Sequence, residues 1–313
     1  MRIAVYGAGG VGGYFGGRLA QAGVDVVFIA RGRHLEAMQS RGLKVESISG
    51  DFELDSVNAT DDPAKAGEVD VVIAATKAWQ VEDAARAMGP MLGEHSFVVP
   101  LQNGVEAPEI LARVLGHERV VGGLCGLLSY IAGPGHIRHT ATPPFIKFGE
   151  LDNRPSDRIK KLRQTFERAE GVRVEVPADI QAAMWTKFLF IAGWGAVGAV
   201  TRAPVGVLRS RLETREMMRL AIEEIYAVAK ARGVALEPDA VDKTVKGIDV
   251  LSENGTASMQ RDIISGRPSE LEMQTGAVLR LGQEAGVDTP VNRFLYHSLL
   301  PMELKARGEI SFD

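Results

Sequence analysis

Arg2-Ile3-Ala4-Val5-Tyr6-Gly7-Ala8-Gly9-Gly10-Val11-Gly12 decides the fold. Residues 2–6 form a short β-rich run, and Tyr14 to Gln21 suits a helix. Between them stands Gly7-x-Gly9-x-x-Gly12, a glycine spacing that marks a dinucleotide-binding turn when it follows a strand and opens a helix. Gly7 allows the sharp exit from the strand, Gly9 lets backbone approach a pyrophosphate, and Gly12 lets the helix close on the sheet. The unpaired N–H groups and positive dipole end of that helix then favour phosphate. The candidate cradle is Gly7, Gly9, Gly10, Val11 and Gly12. A glycine-rich turn with no ligand is the alternative.

Working outward, Asp25 to Ala30 reads as a second strand ending at Arg31. An NAD-binding turn is usually followed, roughly 20 residues on, by an acid that holds the ribose 2′-hydroxyl. Here that place carries Arg31-Gly32-Arg33-His34. A guanidinium pairs with a 2′-phosphate that a carboxylate would repel, so NADP(H) is expected over NAD(H). Ordinary loop charges are the other reading of Arg31 and Arg33.

Val69 to Ala75 is a continuous apolar run, as expected for a parallel strand covered on both faces. It leads into Thr76-Lys77-Ala78-Trp79-Gln80, and Ser96 to Leu101 leads into Gln102-Asn103-Gly104-Val105. Ligands of open α/β sheets sit at the carboxyl ends of strands, so the glycine turn, Arg31, Lys77 and Asn103 are expected to line one crevice. Residues 43–57 read as short strands of alternating polarity. Val120 to Tyr130, Phe145 to Glu150 and Val172 to Val176 are expected to complete a mixed sheet. His136 and His139 fall on opposite sides of a strand, with no acid or cysteine nearby in sequence, so no metal is expected.

Past Pro177 the texture changes. Helices are expected over 179–200, 212–232, 238–252, 269–286 and 289–305, with stops at Gly233, Gly286 and Pro290. The chain therefore divides into a dinucleotide-binding domain over 1–178 and an all-helical domain over 179–313, an α/β fold of Rossmann type followed by helices. Lys187 lies among aromatic and aliphatic residues, either snorkelling to the surface or pointing into a cleft, where an ammonium polarises a carbonyl and donates a proton. Ser269 and Glu272 read as a capping box, which leaves Glu270 in the first turn. Asn254 to Asp262 reads as loop into helix.

The bulk numbers set limits. A chain of 313 residues with 45% hydrophobic and 24% charged residues fits an ordinary soluble protein of two domains. The net charge of −4 gives no polyanion-binding field, so nucleic acid is not an expected partner. The single cysteine, Cys125, excludes an intrachain disulfide, and its neighbours suggest a buried structural thiol. The N-terminus runs straight into the first strand, and the longest apolar stretch, 188–200, is short and glycine-rich, so a cytoplasmic protein with no membrane span is expected.

Taken together, these motifs resemble the ketopantoate reductase (2-dehydropantoate 2-reductase) family, in order along nearly the whole chain. The resemblance rests on the N-terminal glycine turn, Arg31, Thr76 to Gln80, Gln102-Asn103-Gly104, Trp185-x-Lys187, Ala257-Ser258-Met259 and Ser269-Glu270. It implies NADPH-dependent reduction of a 2-oxo acid, ketopantoate to pantoate, in pantothenate biosynthesis. Lys187 and Glu270 resemble the catalytic pair and Ser258 a substrate-binding serine. Lys77 and Asn103 resemble residues that hold cofactor and substrate. The family usually has asparagines four and eight residues after the lysine; here Ile191 and Gly195 stand there, with Trp194 beside them. This implies, as an alternative, a more apolar 2-oxo acid. A catalytically silent NADPH-binding sensor is a third reading, and a homodimer is a candidate assembly.

Overall fold

The computed structural model describes residues 1–312. The chain forms two compact units, Met1–Gln102 with Ala107–Ile180, and Asn103–Glu106 with the residues from Gln181 onward.

In the first unit β1 (Arg2–Tyr6), α1 (Gly10–Gln21), β2 (Asp25–Ile29), α2 (Gly32–Arg41), β3 (Leu43–Ser47), β4 (Phe52–Leu54) and β5 (Asn58–Thr60) come first. Then follow α3 (Pro63–Ala66), β6 (Val69–Ala74), α4 (Val81–Met88), β7 (Leu92–Pro100) and α5 (Ala107–Leu115). β8 (Gly122–Gly133), β9 (His136–Gly149), α6 (Asp157–Phe166) and β10 (Arg173–Glu175) complete it. One sheet runs in the order β5-β2-β1-β6-β7, and each of its strand pairs is parallel. Its strands are apolar on both faces because both are covered. Ile3, Val5, Val71 and Ile73 pack with Phe15, Leu19 and Phe166, while Ala4, Tyr6, Val72 and Ala74 pack with Ala84, Ala85, Met88 and Leu111. The order reverses between β1 and β6, the topological switch point where such sheets bind ligands.

The expectation of one mixed sheet is corrected. β3, β4, β8, β9 and β10 form a second sheet, ordered β10-β9-β3-β4 with β8 antiparallel on β9. The alternating pattern noted over 43–57 is the reason: a strand with one wet face does not fit inside a doubly covered parallel sheet. Leu43, Val45, Ile137, Ile146 and Phe148 supply this sheet's buried face, against Tyr14, Phe15 and Phe166. At the turn into it, Gly42 has φ +75°, and a Cβ there would overlap the Leu54 carbonyl. Cys125 is buried in β8, its thiol against the Leu101 carbonyl at 3.8 Å.

The second unit is helical: α7 (Ile180–Thr201, its first residue still in the first unit), α8 (Val205–Ser210), α9 (Leu212–Ala231), α10 (Ala240–Asp249), α11 (Ser258–Ile264), α12 (Ala277–Ala285) and α13 (Pro290–Ala306). α8 is additional to the helices expected, and the 269–286 stretch is interrupted. A π-helical turn over Glu272–Gly276 precedes α12, with Gly276 N–H bonded five residues back to the Leu271 carbonyl. α7 is apolar around its whole circumference, as a central core helix must be. Its 22 residues match the helix expected over 179–200 and, unlike the 188–200 stretch taken alone, suffice in length and composition to cross a membrane; 67% of its most apolar window is buried within the protein. Gly193 and Gly198 let neighbours close on it, since Cβ atoms there would meet Ile222 and the Gln260 side chain. The Glu224 carboxylate of α9 accepts the N–H groups of Val291 and Asn292 at 2.8 and 2.9 Å, pinning the start of α13.

Candidate active site

The glycine turn is built by close approach. Gly7 leaves β1 with φ +100°, and a Cβ on it would lie 3.0 Å from the Ala75 carbonyl and Thr76 nitrogen at the end of β6. A Cβ on Gly12 would overlap the Gly7 carbonyl oxygen and lie 2.8 Å from Val5 Cγ1. Gly10 is constrained from the other side, by the backbone of Ser129 and Tyr130 in β8. Gly9 differs: nothing lies within 4 Å of a Cβ built there. Gly9 is also the N-cap of α1, with no side chain capping the helix and no acid in its first turn. Bare N–H groups, a positive dipole end and open space at one glycine fit a pyrophosphate.

Arg31 is the exposed N-cap residue of α2, one position past the end of β2 and its following Ala30. Its guanidinium reaches the Tyr6 hydroxyl; burial raises the Tyr6 pKa, and Arg31 partly opposes that shift. No acid stands at this strand end, so the position fits a 2′-phosphate. His34, one turn on, accepts Gly135 N–H at Nδ1 (3.1 Å), and burial holds its pKa below the ordinary value. Lys77 is exposed at the start of a short 3₁₀ turn, its Nζ 5.6 Å from the centre of the Trp79 ring. Behind it, Gln102 Nε2 donates to Thr76 Oγ1 at 3.3 Å. His139 is buried on Ser47 Oγ and the Thr142 carbonyl, whereas His136 pairs with Glu46.

Asn103 belongs to the helical unit, although it follows β7 by three residues. Its partners are Lys187 of α7 and Glu270, in the segment that leads into the π-helical turn. Asn103 Oδ1 accepts from Lys187 Nζ at 3.0 Å, and Asn103 Nδ2 donates to Glu270 Oε2 at 3.0 Å. Gln274 Nε2 donates to the same Glu270 oxygen at 3.3 Å. Lys187 is half-buried on α7, Glu270 only 6% exposed. The amide thus lies between an ammonium and a carboxylate, using its carbonyl on one and its NH₂ on the other, which fixes its rotamer. Among the described residues one of the three Lys187 N–H groups is used, on Asn103.

The capping box expected at Ser269 is absent. Glu272 instead meets Arg280 and the Tyr296 hydroxyl, and Ser269 N–H is taken by the Glu303 carboxylate of α13. The π-helical turn carries Glu272 away from Ser269, and a neighbouring helix supplies the acid. One half of such a box occurs one element earlier, where Gln260 Oε1 accepts Ala257 N–H at 3.2 Å. Gln260 Nε2 also donates to the Ala203 carbonyl at 2.9 Å, so this buried side chain ties α11 to the end of α7. Ser258, exposed, is the first residue of α11.

Ile191, Trp194 and Gly195 share the Lys187 face of α7 at helical spacing. Ala257 Cβ and Met259 Cε lie 3.4 and 3.7 Å from where a Gly195 Cβ would stand. Trp194 is 6% exposed, and its indole Nε1 has no partner among the described residues. Sequence reasoning missed Gln274 and Glu303; Gln274 stands four residues after Glu270, a spacing that could have flagged it, whereas only the fold brings Glu303 to this stretch.

Known proteins show the same organisation. The family profile described as ketopantoate reductase PanE/ApbA matches residues 3–153, and that of the PanE/ApbA C terminal matches residues 179–303. A 2-dehydropantoate 2-reductase of Nostoc sp. is 32% identical, over 100% of this chain and 98% of its own. The crystal structure of a 2-dehydropantoate 2-reductase from Geobacter metallireducens is 32% identical, covers 96% of this chain and 99% of its own, and superposes with a TM-score of 0.89. That of a PanE/ApbA family ketopantoate reductase from Ralstonia eutropha is 33% identical, covering 98% of this chain and 100% of its own, with a TM-score of 0.88. Glycine turn, helical unit and full-length similarity together establish that the chain belongs to the ketopantoate reductase PanE/ApbA family.

Proposed function

We propose that the protein is an NADPH-dependent oxidoreductase that reduces ketopantoate to pantoate. The observation that carries this reading is the Lys187–Asn103–Glu270 chain, a cation oriented by an amide that a buried carboxylate orients in turn. Bound NADPH supplies the hydride. The bare N–H groups at Gly9 to Gly12 would hold its pyrophosphate, Arg31 its 2′-phosphate, and Lys77 further cofactor contacts.

Toward the acid, the Lys187 ammonium holds the 2-oxo oxygen and stabilises the charge that develops there, the preorganised electrostatic role expected of a fixed cation. Lys187 also delivers the proton that completes the hydroxyl. Glu270 acts through Asn103 to keep the ammonium in place, and Ser258 takes the substrate carboxylate. On this reading the division at residue 178 separates a cofactor domain from a substrate domain. A homodimer, a cytoplasmic location and the lack of nucleic-acid or membrane partners belong to the same proposal, checked by sedimentation and fractionation.

A second reading has its own observation. Ile191 and Gly195 present no hydrogen-bonding side chain on the Lys187 face, and Ala257 and Met259 add apolar surface beside Gly195. That face suits a 2-oxo acid with an apolar tail, because a site that bonds a substrate hydroxyl normally offers it a polar partner. The test is NADPH oxidation by the purified protein with ketopantoate beside branched and unbranched 2-oxo acids. Efficient ketopantoate turnover supports the first reading. Poor ketopantoate turnover with a better apolar acid supports the second, and no turnover with any acid overturns both.

A further inference from the structure

Ser269, the residue before Glu270, has every polar atom tied down. The Glu303 carboxylate, 3% exposed on α13, accepts Ser269 N–H at 3.1 Å through each oxygen. It also accepts the Ser269 hydroxyl at 2.5 Å. Arg307, one turn further at the C-cap of α13, donates from Nη2 to the Ser269 carbonyl at 3.2 Å and from Nε to Glu303 Oε1 at 2.7 Å. Ser269 Oγ in turn accepts Leu271 N–H at 3.2 Å. One ion pair on a distant helix therefore holds the N–H, hydroxyl and carbonyl of a single residue.

The Ser269 hydroxyl already serves the Leu271 N–H as a local cap does, so the buried carboxylate and the guanidinium are more than this turn requires. Burying a carboxylate is costly in desolvation unless its partners repay it. What the arrangement adds is rigidity on both sides of Glu270. Upstream, the α13 pair fixes the backbone; downstream, the π-helical turn sets Gln274 against the same carboxylate. Such turns recur at functional sites.

We propose that Glu303 and Arg307 are positioning residues for Glu270, holding its carboxylate within reach of Asn103 and, through Asn103, of Lys187. The inference rests on the proposed role of Glu270 in the reaction. Neither residue touches the proposed reacting atoms; both act through the backbone at Ser269. Reactions of this kind are sensitive to such placement, a misplacement of about 1 Å costing on the order of 100-fold.

The test is a double-mutant cycle with Glu303→Gln and Glu270→Gln, singly and together. It reads kcat and KM for the 2-oxo acid turned over best, the NADPH Kd and the melting temperature. Glu303→Gln is expected to lower kcat/KM about 10-fold or more, through kcat, in an otherwise folded protein. The NADPH Kd should stay within about twofold, and in the Glu270→Gln background the same change should cost less than about threefold, because the two losses are one loss. Equal losses in both backgrounds, or a parallel loss of NADPH affinity, would reduce Glu303 to a general stability role and overturn the inference. An active Glu270→Gln single variant would instead sink the assignment of Glu270, and the inference with it. Should Glu303→Gln not fold, Arg307→Lys enters the same cycle, with the same coupling expected and the same additivity contradicting it.

Discussion

The cofactor cradle and the proposed acid site are made of different materials. At the proposed cradle the surface is backbone: the helix that opens at Gly10 has no side-chain cap, the Gly7 N–H is held by the Ile29 carbonyl, and a Cβ on Gly7, Gly10 or Gly12 would meet neighbouring main chain. At the acid site the surface is side chain, with Lys187, Asn103 and Glu270 drawn from segments 84 and 167 residues apart. The cradle is therefore harmed by adding atoms, the acid site by removing them. This follows from what each must do: a pyrophosphate needs donors that come close, whereas a carbonyl under reduction needs a charge that stays in place.

That contrast can be broken first at Asn103. Asn103→Ala removes the link between Lys187 and Glu270, and kcat/KM is expected to fall about 100- to 1000-fold, as for loss of an oriented charge-stabilising group. The NADPH Kd should not follow; if it did, Asn103 would belong to the cradle. Next, Arg31→Ala should weaken NADPH about 10- to 100-fold, the usual loss for a hydrogen bond to a charged group, and leave NADH nearly unchanged. Equal losses for both would remove the 2′-phosphate from Arg31.

The two sides of the glycine turn sharpen the comparison further. Gly12→Ala forces a Cβ into the Gly7 carbonyl, so chemical denaturation should report about 1–3 kcal/mol of lost stability. Gly9→Ala meets open space and should leave stability intact while weakening NADPH. Similar melting temperatures for the two variants would contradict the packing account.

The smallest effect is a pH dependence under α1. His139, 1% exposed, lies 4.6 Å from the Tyr14 ring, between ring centroids. Burial holds its pKa below the ordinary 6.5, with the bond to the Thr142 carbonyl opposing the shift and the Arg18 charge adding to it. An imidazole with a depressed folded-state pKa is protonated first in the unfolded chain. Its stabilisation is therefore complete above pH 6.5 and is lost as pH falls from there through the folded-state value. The slope is at most about 1.4 kcal/mol per pH unit for one proton. Urea midpoints between neutral and mildly acidic pH should show it in the wild type and less of it in His139→Asn; identical slopes would exclude His139.

How much of this the sequence carries depends on distance along the chain. The glycine turn, β1, β2, β6 and Arg31 are readable because strand, turn and helix signals lie side by side and the doubly covered strands are continuously apolar. The second sheet is not, since nothing local states whether Val120–Tyr130 joins the parallel strands or turns away to pair with β9. Lys187 is ambiguous for a related reason: helical spacing gives its face, and only Asn103 decides what that face meets. At Ser269 the local pattern misleads, because Glu272 is spaced for a capping box while the fold offers Glu303 at closer quarters. Asn103 follows from its place after a strand; the family resemblance adds roles for Lys187, Ser258 and Glu270 where residue chemistry alone stops.

The central claim is that Lys187 does chemistry on the acid and nothing for the cofactor. The most direct measurement is ketopantoate-dependent NADPH oxidation by the wild type and Lys187→Ala, with the NADPH Kd determined on the same preparations. The account predicts wild-type turnover, a fall in kcat of about 100- to 1000-fold in the variant, and an unchanged NADPH Kd. A variant that turns over normally, or one that loses NADPH binding in step with activity, would contradict it.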